Sequence, residues 1–184
     1  MMDQFFSTVI TSALVATVAG AAINAWWETR KDKHNARFDA LTAAISLEGY
    51  AIDCADRISD NDLAEQSDGH AGAFMGSVPE LPNLSIPAGF LRPKKAEVAD
   101  RLMIFPQEIR QADQVAAFQW DVTADISVVR ETAVAQSAKV GLKALDLAAD
   151  LRKAFKLPKR TLVFGIFDVR KTLEKNLRKD QYDA

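Results

Sequence analysis

Cysteine is nearly absent. Cys54 is the single one in 184 residues, so no disulfide can close within the chain. That fits a reducing compartment. Histidine numbers two, His34 and His70. One Cys and two His cannot supply a zinc site, which needs several such ligands at fixed spacing. The Glu-x-x-His pairs of a di-iron bundle do not occur. Gly-x-Ser-x-Gly, a Walker A loop, Gly-x-Gly-x-x-Gly and His-Glu-x-x-His are missing too. No cofactor and no metal is expected, and no catalytic residue is assigned. His34 reads as a solvated juxtamembrane residue. His70, in Asp68-Gly69-His70, is the single weak ligand candidate.

Charge is absent from Phe5 to Trp27, a run of 23 residues. As a helix it spans about 34 Å, against about 30 Å of bilayer hydrocarbon. Phe5 and Phe6 open the run, and Trp26 and Trp27 close it, where indoles favour the membrane–water interface. The preceding Met-Met-Asp-Gln lacks the basic residues of a cleaved signal peptide. The expectation is a single-pass anchor in the bilayer, residues 5–27, with residues 1–4 as a short extracytoplasmic end. Arg30, Lys31, Lys33 and Arg37 follow the run and none precedes it. Basic flanks stay in the cytoplasm, which predicts N-outside, C-cytoplasmic placement in a bacterial inner membrane. Ser12, Ala16 and Gly20 recur every four residues, a small-residue face that suits helix dimerisation.

With 48% apolar and 26% charged residues, the chain is neither disordered nor fibrous. Residues 28–184 are long enough for one independent core. They read as all-α, a bundle of about four helices fed by the membrane helix. The first helix is expected to continue to Ile58 and to break at Ser59-Asp60-Asn61-Asp62. It shows two apolar stripes: Phe38, Leu41, Ile45, Ile52 and Ala55, and beside them Leu47, Tyr50, Ala51, Cys54 and Ile58. Glycines and prolines then mark a loop, residues 62–92, whose apolar residues are expected to pack across the bundle. The second helix begins at Pro93. Val98, Leu102, Phe105, Ile109, Ala112 and Ala116 form its heptad-like seam, which continues past Pro106 and predicts a kink there rather than a stop. The third helix starts near Thr123 and ends by Leu157-Pro158. Its stripe is Ile126, Val129, Ala133, Val140, Ala144, Leu147 and Leu151, with Gln136 as a polar interruption. A last, basic helix is predicted over about 161–180, in preference to a strand at Thr161–Phe167, because no second strand-like run offers a partner.

The near-neutral total of −2 hides segregation. Residues 38–91 hold nine acids and one base, and residues 152–184 hold ten bases and four acids. Arg170, Lys171, Lys175, Arg178 and Lys179 form an outward basic face, a candidate for a partner, for lipid, or for the acidic stretch itself. No nucleic-acid motif accompanies it, so no nucleic acid is expected.

The reading that follows is a membrane-anchored helical interaction or scaffold module at the cytoplasmic face. It would meet an unidentified protein or a second copy of itself. The alternatives are a ligand-responsive domain using loop 66–91, an enzyme built on Asp53, Asp56, His70, Asp146 and Asp150, and a protein that perturbs membranes through its first helix.

Overall fold

No proline interrupts the chain before residue 79, and it begins as one helix, α1 (Met2–Gln66). The computed structural model describes the backbone of residues 2–82, 84 and 95–182, and the side chains of residues 21, 23–82, 84 and 95–177. Three more helices and a hairpin follow: α2 (Ala96–Thr123), α3 (Ile126–Ala154), β1 (Val163–Phe164), β2 (Phe167–Asp168) and α4 (Val169–Tyr182). The expected all-α bundle of about four helices is what forms. Among the described residues, no helix is long and apolar enough to cross a membrane. Most of the 5–27 run lies outside the described side chains, including Phe5, Phe6, Ser12, Ala16 and Gly20.

The core uses the second of the two α1 stripes. Leu47, Tyr50, Cys54 and Ile58 are buried, together with Ala40, Ala43, Ala44 and Ala51. Phe38 and Ile45 are exposed, which corrects the first stripe. Alanines lead because they let helices approach closely where a larger side chain would hold them apart. The predicted break at Ser59–Asp62 does not occur either. Ser59 Oγ donates to the Ala55 carbonyl, Asn61 Nδ2 donates to Glu65 Oε1, and Asn61 Oδ1 accepts from the Met75 amide. These side chains serve the helix and the following loop instead of competing with the helix. Its end comes at Asp68 and Gly69, both at positive φ, where the Gly69 amide donates to the Ala64 carbonyl in a Schellman-type closure.

The α2 seam is buried as expected at Leu102, Phe105, Ile109, Ala112 and Ala116, and the helix carries Pro106 inside it. Pro93 lies outside the described residues. α3 is capped two residues later than predicted. Thr123 Oγ1 donates back to Gln119 and closes α2, while Asp125 accepts from the Ser127 amide and opens α3. Ile126 is exposed, and the rest of the predicted stripe is buried.

α3 is the shared element, packing on α1, α2 and α4. At Gly141 a Cβ would sit 3.0 Å from Leu173 Cδ2 and 3.2 Å from Cys54 Cβ, so α1 and α4 close on α3 where it has no side chain. α1 and α2 meet through Tyr50 and Phe105, whose rings stand edge-to-face at 6.0 Å. The described part of the loop packs only in part as predicted, since Phe74 is exposed. Met75, Val78 and Pro79 are buried, Tyr50 Oη donates to the Pro79 carbonyl, and the Val78 amide donates to Asp113 Oδ1.

The predicted helix over 161–180 begins only at Val169. Residues 163–168 fold back on themselves, pairing Val163 with Asp168 and Phe164 with Phe167. Gly165 at φ +62 supplies the positive φ that the two-residue turn needs. The strand found its partner within the same run.

Burial makes the fold sensitive to alkali. It pushes the Cys54 thiol from its ordinary 9.0 up to about 12, and burial first, then the neighbouring Cys54, raises the Tyr50 phenol. Both groups are held in their protonated form by folding. Their contribution is fully present below pH 9 and is lost as pH rises above it. The urea midpoint is expected to fall between pH 8 and pH 10.5, and to fall less in Cys54→Ala. An equal fall in that variant refutes the assignment.

Candidate functional site

A cleft of about 770 Å³ opens where the end of α3, the turn at residues 155–162, the hairpin and the start of α4 converge. Its construction starts with two buried charges. Glu48 on α1 and Arg152 on α3 are among the few charged residues in the interior. Arg152 Nε donates to Glu48 Oε1 at 2.6 Å and Nη2 to Oε2 at 2.9 Å, a two-pronged pair. Arg160 Nη1 reaches the same carboxylate at 3.2 Å, and Arg152 Nη1 donates to the Pro158 carbonyl at 2.8 Å. The pair therefore ties the turn to the bundle.

The turn is itself a helix ending. The Leu157 amide donates to the Arg152 carbonyl and the Lys156 amide to the Lys153 carbonyl, the two bonds of a Schellman closure. The left-handed position of that motif usually holds glycine, and here it holds Lys156 at φ +53. Arg37 Nη2 donates to the Lys156 carbonyl at 3.0 Å, fixing the turn against the N-terminal side of the bundle.

The lining combines an apolar floor with a cationic rim. Leu145, Leu157 and Leu162 make the floor, with the exposed Ala149 and Val163 beside them. Six cations line the cleft against three acids, Glu48, Asp150 and Asp168. All three acids are engaged: Glu48 as above, Asp150 by Arg101 of α2, and Asp168 by Lys171 at 3.5 Å. Arg170 is neutralised by Asp146 at 2.7 Å. Among the described residues no acid lies within ion-pair distance of Lys153, Lys156 or Lys159. Such an arrangement can hold an anion.

Few of the sequence candidates belong to this cleft. Of the basic face on α4, Arg170 lines it, Lys171 lies beside it, and Lys175 pairs with Asp62 of α1 at 3.6 Å. Part of the basic pole thus answers the acidic stretch of the same chain. The side chains of Arg178 and Lys179 lie outside the described residues. His70 is exposed on a turn after α1. Asp146 and Asp150, one turn apart, pair away from each other with α4 and α2. Among the described residues, no three His, Cys, Asp or Glu side chains gather closely enough to hold a metal. Trp26 and Trp27 are exposed, their rings edge-to-face, with Arg30 stacked over Trp26 at 4.8 Å. Sequence reasoning missed Lys153, Lys156, Lys159 and Arg160, although five bases between Arg152 and Arg160 were a signal in plain view. No family model, no curated protein and no solved structure matches this chain.

Proposed function

We propose that this protein is a membrane-anchored helical interaction module. Its apolar N-terminal run lies in the bilayer, and its bundle works at the cytoplasmic face. The observation that carries this reading is the exposed stem of α1. Residues 23–35 are all exposed, so nothing described in this chain covers Ile23, Trp26 or Trp27, and α1 continues from them into the core. Indoles left bare beside arginine and lysine suit the headgroup region.

Partner faces are available on two helices. On α1, Phe38 and Ile45 are exposed at heptad spacing, with Ile52 half-buried one heptad on. Gly49 lies among them, where an added Cβ would meet nothing. Positions 18 apart share a face of a helix with 3.6 residues per turn, so this stripe is in phase with Gly20. A second copy running parallel in the same membrane could use both. On α2, Ile104, Val115, Phe118 and Val122 form another exposed stripe. No nucleic acid is expected as a partner. The cleft favours the ligand-responsive alternative, but away from loop 66–91, where Met75, Val78 and Pro79 are packed down on the core.

Carbonate extraction of membranes from cells expressing the full chain tests the anchor. The protein is expected in the pellet, and residues 28–184 alone in the supernatant. Recovery of the full chain in the supernatant overturns the proposal. An Ile45→Cys variant, oxidised in intact membranes, is expected to form a disulfide-linked dimer if the partner is a second copy.

A further inference from the structure

We infer that the cleft between α3, the 155–162 turn and α4 is a binding site for a single-chain anionic amphiphile, with its acidic head on Lys153, Lys156 and Lys159 and its chain on the apolar floor. This goes beyond the interaction reading; the cleft itself stands without the anchor, and only the bilayer as the ligand's source rests on it.

Three observations converge on this ligand class. The first is charge. The acids of the cleft are consumed by Arg152, Arg160, Arg101 and Lys171, which leaves the three lysines at the rim as uncompensated positive charge. An ammonium group is a compact charge on a flexible stem, suited to an oxygen-rich anion of loose geometry. The second is the floor. Leu145, Leu157 and Leu162 are apolar and face the same space. A free inorganic anion has no use for them, whereas a hydrocarbon chain does. The volume of about 770 Å³ falls in the usual range of roughly 300–1,000 Å³ for small-molecule sites. The third is the backbone. Lys156 occupies a left-handed position that glycine fills at lower cost, so the chain keeps a cation there against a local preference.

Placement points to the bilayer as the source. Arg37 holds the Lys156 carbonyl, ten residues along α1 from Trp27, about 15 Å on a helix. A single-chain lipid leaving the membrane surface meets this end of the bundle first.

The test uses full-length protein in phosphatidylcholine nanodiscs, titrated with radiolabelled lauroyl lysophosphatidylglycerol. Lysophosphatidylcholine of the same chain and glycerol phosphate serve as comparisons. The acidic lysolipid is expected to bind wild type at least tenfold more tightly than it binds a Lys153→Gln, Lys156→Gly, Lys159→Gln variant. Glycine fits the backbone at 156, so the variant is expected to melt no lower than wild type. Equal binding by variant and wild type overturns the proposal. So does equal binding of the zwitterionic lysolipid. Glycerol phosphate binding as tightly as the lysolipid reduces the cleft to a bare anion site and also overturns it. Membrane retention of the variant stays as in wild type, which keeps this outcome separate from the anchor test.

Discussion

Glu48→Ala is expected to destabilise the fold by about 3–5 kcal/mol, because it strands Arg152 in the interior without a counter-charge. The Glu48 side chain is 5% exposed and that of Arg152 is 8%, so the cleft they line offers the stranded guanidinium little solvation. The strong dependence does not mean that the pair stabilises the protein relative to apolar residues. Desolvating both charges offsets much of their attraction. Replacing both, as Glu48→Leu with Arg152→Met, is therefore expected to recover most of the loss. Urea unfolding of wild type, single and double variants makes the comparison. A single variant within 1 kcal/mol of wild type refutes the assignment of buried charge. The double variant separates two roles of the pair. It keeps the core but loses the Arg152 bond to the Pro158 carbonyl and the Glu48 bond to Arg160. The cleft turn is expected to exchange its amide hydrogens faster there, although the bundle remains stable.

Gly72→Ala is expected to cost at least about 2 kcal/mol and to release the loop from the bundle. Gly72 has φ +76, a conformation costing other residues about 1–2 kcal/mol. Its added Cβ would also overlap the Asp60 carbonyl oxygen and lie 2.9 Å from the Ala64 amide nitrogen. The loop must back away from α1. Met75 then loses Asn61, and the Pro79 carbonyl loses the Tyr50 hydroxyl. Hydrogen exchange is expected to speed up at Met75 and Val78 while α2 and α3 keep their protection. Unchanged exchange at both amides contradicts the expected release.

The helices were legible wherever one large apolar stripe met one partner. The α2 seam is the clearest case, since Leu102, Phe105, Ile109, Ala112 and Ala116 are all buried, and Pro106 did not stop the helix. α1 was harder. It offers Phe38 and Ile45 on one side and alanines on another, and hydropathy ranks the larger residues first. Close helix packing reversed the order. Two of the three misplaced helix ends, those of α1 and α3, arose from Ser, Thr, Asp and Asn, which cap, turn and bond back along a helix with the same atoms. Thr123 ends α2 by the same chemistry that would have begun α3. The hairpin was obscured because its strands are two residues each, too short to show an alternating pattern. The cleft could be read only through its run of bases from Arg152 to Arg160. Its key contact joins Glu48 to Arg152 across 104 positions, and no local pattern carries that information.

That separation also sets an order of events during synthesis. Leu47, Tyr50, Cys54 and Ile58 emerge from the ribosome early, yet the helix that covers them is completed only at Ala154. At about 5–20 residues per second, the interval between Gln66 and Ala154 is roughly 4–18 s. During that time α1 lacks its α3 cover, and only the loop at Met75, Val78 and Pro79 is available to pack on it. The nascent chain is thus most open to chaperones, to premature self-pairing and to proteases before α3 emerges. Slower translation through residues 67–154 is expected to lower yield with equilibrium stability unchanged.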